Sequence, residues 1–268
     1  MSIIQVPAHY YAQRGIDISL EHPGTGIIGW KQADIPIEPE RTAVVIMHAW
    51  NPLPYDQWPE QYEIVEYLKR VEPIVKNRII PFLDDVRAKG VRLIHVAAGF
   101  EPQLQEFDGY HRIQAKYPPA YHETITCSKA HEALCHRRRL LGIAATEEFH
   151  NRIEESYYQY TFRIKPQPHE DVVCASNQLF QLCRDEGIDH LIYTGFAVNA
   201  CLKSSPCGYT DMVRHGIMCS IVGDLTTAVE CKETCVEQRN LENGLWQFAV
   251  WGGFVFLSQD LKNTLLKL

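Results

Sequence analysis

The 268-residue chain contains no uninterrupted apolar stretch near the ~18 residues of a membrane-spanning helix, so no transmembrane anchor is expected. Its first residues, "MSIIQVPAHYYAQRG", lack the basic start and long apolar core of a signal peptide, and none is expected. A cationic excess is missing too. Lys and Arg number 26 against 33 Asp and Glu, and the net charge of −7 argues against nucleic acid or an anionic membrane as partner. The one tight basic run, "HRRRL" (136–140), is too short to reverse this. There is no internal repeat and no low-complexity linker. Nine cysteines, an odd number scattered over 127–235, show no framework spacing. They read as free thiols in a reducing cytoplasm rather than a disulfide scaffold. A composition that is 46% hydrophobic and 22% charged is that of an ordinary globular chain with one large core.

Within that frame, residues 1–40 are rich in Pro and Gly ("EHPGTGIIGW") and predict an irregular amino-terminal arm. The remaining residues, 41–268, predict one domain. Short apolar runs mark six strands: "TAVVIMHA" (42–49), "VRLIHVAA" (91–98), "YQYTFRIK" (158–165), "DHLIYTGF" (189–196), "IMCSIVGD" (217–224) and "GFVFLS" (253–258). Helical patterns separate them, over roughly 60–90, 174–186, 200–216 and 227–248. Residues 100–158 are polar and aromatic, with short helices near 128–137 and 145–156, and read as an insertion or lid. Strands apolar on both faces that alternate with helices imply an α/β fold. The expected architecture is a three-layer, Rossmann-like α/β/α domain with a central six-stranded parallel sheet. Ligands in such folds bind outside the carboxyl ends of the strands, here just after 48, 98, 165, 196 and 224.

Cys201 falls just past the fourth of these strands, in the first turn of the helix that follows. Unsatisfied N–H groups there favour an anion, lower a thiol's pKa and can hold the oxyanion of a tetrahedral intermediate. The alternative is a small buried apolar residue, the usual fate of a free cysteine.

The segment "TGFAVNAC" (194–201) resembles the nucleophile segment of the isochorismatase-like cysteine hydrolases. That superfamily includes nicotinamidases, carbamoylsarcosine amidohydrolases and ureidoacrylate amidohydrolases. The resemblance implies that Cys201 attacks a carbonyl, that the N–H groups of Ala197 and Cys201 form the oxyanion hole, and that the Phe196–Ala197 peptide is cis. The segment "RIKPQPHEDVVCASNQLFQLCRDEGIDHLIYTGF" (163–196) is similar to the family's stretch carrying an active-site lysine, which makes Lys165 the carried-over cation. "GIMCSIVGDLTTAVE" (216–230) resembles the next strand, with Asp224 expected to orient loop backbone. The resemblance runs over about 40–258 and is tight over 160–230.

One element departs from the pattern. The family's first strand normally ends "VIDMQ", whose aspartate deprotonates the cysteine, whereas this chain reads "VVIMHAWN" and places Met47 there. A thioether cannot take a proton. His48, one residue on, is the nearest substitute, because a Cys–His pair is a standard way to activate a thiol. It reads equally as a histidine packed on the opposite face. Trp50, Asn51 and Phe196 line the pocket or pack beside it, and Asp56 and Glu101 are remoter acids.

No cofactor and no metal are expected. The nicotinamidase metal motif, Asp-x-His, is replaced by "HVAAGFEP" (95–102), in which His95 reads as a core histidine. "CSKAHEALC" spaces Cys127, His131 and Cys135 four apart, which suits a buried helix face better than a zinc site. Cys207 and Cys219 read as core thiols, and "CKETC" (231–235) as helix surface or core. The expected activity is hydrolysis of a C–N bond, amide or carbamoyl, in a small metabolite through a thioester on Cys201. Two alternatives stand beside it: a pseudo-enzyme that binds a small molecule or a protein partner, and a vinyl-ether hydrolase of the isochorismate type. Family resemblance also implies a homo-oligomer, dimer or tetramer.

Overall fold

Alternate residues of Thr42–Met47 point to opposite faces, yet all six are buried, so this strand must be covered on both sides. In the computed structural model, which describes residues 3–120 and 123–265, it lies inside an eight-stranded mixed sheet with helices on both faces. The strands are β1 (Ile4–Ala12), β2 (Gly29–Ile37), β3 (Thr42–Met47), β4 (Arg92–Val96), β5 (Asp171–Val173), β6 (His190–Phe196), β7 (Met218–Thr227) and β8 (Val255–Phe256). Their order is β2-β1-β8-β7-β6-β3-β4-β5. The last six in this order are parallel, as the sequence implies.

The helices are α1 (Pro59–Ile64), α2 (Leu68–Ile74), α3 (Ile80–Ala88), α4 (Asp108–Lys116), α5 (Lys129–Arg139), α6 (Glu147–Tyr157), α7 (Ser176–Glu186), α8 (Cys201–Ser204), α9 (Tyr209–Arg214), α10 (Arg239–Trp251) and α11 (Ser258–Leu265). Ala43, Val45 and Met47 of β3 pack with Leu179 and Leu182 of α7, Met212 of α9 and Phe248 of α10. Val44 and Ile46 pack on the other face with Val71 of α2, Leu83 of α3 and Leu261 of α11. Among the described residues no helix is long and apolar enough to cross a membrane.

Three expectations are corrected. The irregular arm is instead the β1–β2 hairpin, antiparallel from Ile4↔Ile37 to Ala12↔Gly29, which joins the sheet where His9 meets Val255 of β8. The Pro- and Gly-rich residues are concentrated in the turn that connects the hairpin, while Val6 and Ala8 alternate into the core. Second, residues 158–165 form no strand of the sheet. Tyr160, Phe162 and Ile164 are buried, so the alternation is real, but the segment only bridges Trp50 through Phe162. The parallel strand next to β4 is β5, three residues long and too short to carry a periodic signal. Third, the long helix expected over 60–90 is broken into α1, α2, a π turn at Val75–Ile79 and α3, with Pro73 inside α2 and Pro81 in the first turn of α3. Likewise α8 stops after four residues, just before Pro206, and α10 begins only at Arg239.

Candidate active site

Beyond Phe196 the chain turns over Ala197–Ala200 and enters α8 at Cys201. Val198 N–H donates to the Thr227 carbonyl (2.9 Å), which ties this turn to the end of β7. The N–H groups of Ala200 and Leu202 both donate to the Ala197 carbonyl, each at 3.1 Å. Among the described residues the N–H groups of Ala197 and Cys201 donate to nothing. The Phe196–Ala197 peptide is cis. Asn199, which the sequence reading passed over, grips Val229 from both sides: its Nδ2 donates to the Val229 carbonyl and its Oδ1 accepts from the Val229 N–H, each at 2.9 Å. No spacing or composition signal marks that residue, since it acts through a partner thirty residues away.

Cys201 is half-buried, whereas Cys174, Cys183, Cys207 and Cys219 are buried and Cys127, Cys135, Cys231 and Cys235 are exposed. Burial pushes the thiols of Cys174 and Cys183 up to about 12, and raises Cys207 and Cys219 as well, so these four are poor nucleophiles. Among the described residues the Cys201 sulfur has no hydrogen-bond partner. Three tyrosines lie within its electrostatic reach. Burial, and after it a charge on Cys201, raises the phenol of Tyr67, and burial raises that of Tyr160 to about 12, with smaller contributions from Tyr157 and Cys201. Tyr157 shifts the same way, mainly through burial. All three therefore stay protonated at neutral pH. They come from α6, the loop after it and the junction before α2, where the sequence carries no motif.

His48 sits where β3 ends, with a φ of 52° that turns it off the strand. Its N–H donates to the Val96 carbonyl at 3.3 Å. The imidazole stacks on the Trp50 indole (centroids 4.6 Å apart), and Trp50 in turn stacks on Tyr160 (4.8 Å). Glu101 holds the indole plane by accepting from Trp50 Nε1 at 3.0 Å, and its carboxylate also accepts the Ala98 and Gly99 N–H groups. Glu101 is thus committed to structure, and Asp56 is exposed. Burial depresses His48 to about 4, so the ring is neutral at pH 7. Its Nδ1 is buried without a partner among the described residues.

Met47 is fully buried in the core beneath α7, α9 and α10. Asn51 Nδ2 donates to Thr161 Oγ1 (3.0 Å) and pins the 158–165 segment to the end of β3. The Asp224 carboxylate accepts from the N–H (2.8 Å) and hydroxyl (2.6 Å) of Ser258 at the start of α11. Asp224→Ala is expected to lower stability by about 1 kcal/mol and leave the Cys201 alkylation rate unchanged. Urea unfolding and mass spectrometry read the two effects separately.

Lys165 is the main correction at the site. It is exposed, and its carbonyl accepts from Arg87 Nη2 (3.4 Å) near the end of α3, the helix that leads into the start of β4. The structure therefore does not bring it to Cys201. The expected strand 158–165 would have ended at the ligand edge, but the parallel strand lies farther along, and the residues after it are Cys174, Ala175 and Ser176.

A cavity of about 60 Å³ lies beside the His48–Trp50–Tyr160 stack, with Gln61, Tyr67 and Phe196 also in its wall. Among the described residues no three His, Cys, Asp or Glu side chains converge as a metal site would require. His95 is a core histidine whose Nε2 lies 2.8 Å from Glu170. Helix α5 corrects another expectation: it buries no residue, and Cys135 Sγ lies 3.4 Å from His131 Nε2 on its exposed surface. "CKETC" is an exposed turn, not a helix, while Cys207 and Cys219 lie in the core.

No family model matches the sequence, and no curated protein matches it. Solved structures do resemble it. One is a cysteine hydrolase from Pseudomonas syringae pv. phaseolicola 1448A (13% identity, 86% of this chain and 95% of that one, TM-score 0.44). Another is a nicotinamidase from Staphylococcus aureus (10%, 78% and 94%, TM-score 0.37). A third is an isochorismatase-like hydrolase from Alkaliphilus metalliredigens, to which the chain is similar at 16% identity over 85% of its own length and 98% of that chain, with a TM-score of 0.46.

Proposed function

We propose that the protein is an isochorismatase-like cysteine hydrolase that cleaves a C–N bond of a small amide or carbamoyl compound through a thioester on Cys201. The observation that carries this reading is the position of Cys201. It is half-buried immediately beyond β6, beside two N–H groups, its own and that of Ala197, that donate to nothing among the described residues. The sulfur attacks the carbonyl carbon, and the oxygen becomes an oxyanion received by those two N–H groups. The C–N bond then breaks, and the nitrogen leaves with the proton the thiol gave up. Water cleaves the thioester, releasing the acid and restoring the thiol.

His48 is the proton carrier in this scheme. Its ring is neutral at pH 7 and able to accept, but a pKa depressed to about 4 makes it a weak base. Lys165 takes no part. Iodoacetamide at neutral pH, read by site-resolved mass spectrometry, is expected to alkylate Cys201 about tenfold faster than exposed Cys231 and Cys235. Equal rates would remove the nucleophile from the scheme. His48→Ala is expected to slow that alkylation near pH 7, and an unchanged rate would exclude His48 from it.

A second reading, a pseudo-enzyme that binds a small molecule or a protein partner, is favoured by a different observation. Met47 is sunk in the core, Lys165 is in solvent, and the Cys201 sulfur has no proton acceptor among the described residues. Slow, unselective alkylation of Cys201 is the result that reading expects.

A further inference from the structure

We propose that the cavity beside the His48–Trp50–Tyr160 stack, whose wall includes Phe196 just before the turn that leads to Cys201, selects a compact, uncharged substrate and rejects anionic and cationic ones, an inference that rests on Cys201 being the nucleophile. No Asp, Glu, Lys or Arg lines the cavity. The charged groups nearby are committed elsewhere. Glu101 accepts from Trp50 and two backbone N–H groups, so none of its charge faces the space. Glu66 and Arg70 pair with each other at 2.6 and 3.0 Å, and Arg70 also donates to Thr227 and the Ala228 carbonyl. Lys165, the cation expected from sequence, is in solvent. A carboxylate or an ammonium entering here meets no counter-ion, and burying an unpaired charge is costly.

The polar side chains of the wall reinforce this. Gln61 is used up: its Oε1 accepts from Leu53 N–H (3.3 Å) and its Nε2 donates to Tyr160 Oη. Tyr67 Oη and His48 Nδ1 have no partner among the described residues, so the polar groups left to a substrate here are neutral and suit a neutral one such as a carbonyl compound. Size narrows the class further. A cavity of roughly 150 Å³ is what a benzene ring occupies in a protein interior. The space here, about 60 Å³, suits a short acyl or carbamoyl group and not a ring.

Iodoacetamide and iodoacetate separate charge from everything else. Each alkylates a thiolate by forming an S–C bond as the C–I bond breaks and iodide leaves, and they differ only in a carboxamide against a carboxylate tail. The quantity to measure is the iodoacetamide-to-iodoacetate rate ratio at Cys201 in the folded protein, divided by the same ratio in the denaturant-unfolded chain. It is expected to be about ten or more. A value near one, or a preference for iodoacetate, overturns the proposal. The absolute Cys201 rate against Cys231 tests the nucleophile independently, so failure of that reading and failure of this one are distinguishable.

Val65→Lys, a half-buried wall position in the break between α1 and α2, is expected to bring the ratio toward one by speeding iodoacetate; an unchanged ratio counts against the proposal. Iodoacetanilide, which carries a ring, is expected to react about tenfold more slowly than iodoacetamide at Cys201, after the same correction by the unfolded chain. A ring tolerated there refutes the size limit.

Discussion

Gly195→Ala is expected to lower the melting temperature by about 6–12 °C, the equivalent of roughly 3 kcal/mol in a chain of this size. Gly195 has a φ of 105°, and a Cβ built there would lie 2.1 Å from the carbonyl oxygen of Met47 and 3.0 Å from that residue's N and C. Two costs therefore add. The backbone conformation alone costs a non-glycine residue about 1–3 kcal/mol. The clash is with backbone, not with a side chain able to swing away, so β3 and β6 must part where they pair at Met47↔Gly195. Gly216→Ala is the control. Its φ of 81° carries the first cost, but nothing lies within 4 Å of the added Cβ. It is expected to lose about 1 kcal/mol. Thermal melts followed by circular dichroism compare the two, and equal losses would show that the strands do not approach here as described. Because Gly195 sits one residue before Phe196, Gly195→Ala should also slow Cys201 alkylation by displacing the Ala197 and Cys201 N–H groups.

Acidification from pH 6.5 to 4 is expected to remove about 3–6 kcal/mol of stability through two buried histidines. Burial depresses both His48 and His190 to about 4. Between that value and the ordinary histidine value near 6.5 the unfolded chain binds a proton at each site and the folded chain does not. Stability therefore rises with pH across this window and levels off above it. Each histidine contributes up to about 3 kcal/mol, at about 1.4 kcal/mol per pH unit. His190, only half-buried, contributes the smaller share. Its Nε2 lies 2.8 Å from Ser220 Oγ, inside the sheet.

A second acid transition follows below pH 4.5. Burial would raise the Glu170 carboxyl, but hydrogen bonds from His95, Arg87 and the Gln167 N–H outweigh it and bring the carboxyl down to about 2. That contribution is present above pH 4.5 and is lost as pH falls toward 2. Urea unfolding at pH 7 and at pH 4.5 checks the first window. His190→Phe should flatten part of the pH slope whatever it does to stability at pH 7. A midpoint that does not move between pH 7 and 4.5 would mean that these rings are hydrated in the folded protein.

What could be read in the sequence was whatever depends on local pattern. Five of the six parallel strands followed from apolar runs, because a strand buried on both faces leaves no polar alternation to blur it, while β5 was too short to show one. The position of Cys201 after β6 followed from the same runs, and the thiol's neighbours followed from a short motif. The alternation of residues 158–165 was also legible, but it reports only that one side is buried. It does not say what lies on that side, and here it is a loop and not a strand. The same limit explains the amino-terminal hairpin, whose pairing partner β8 lies more than two hundred residues away.

The tertiary structure decided which charges reach the site. Lys165 and Cys201 belong to one continuous similar segment, yet their separation in space depends on where the chain pairs, at β5 and not before it. Tyr67, Tyr157 and Tyr160 come together from α6 and two irregular stretches that no periodicity marks, and Glu101 is spent on holding an indole. Sequence determined five of the parallel strands and the place of the thiol because burial and turn chemistry are local. Packing alone determined that no charged side chain lines the cavity beside the His48–Trp50–Tyr160 stack, because a side chain's charge matters only through what it is folded against.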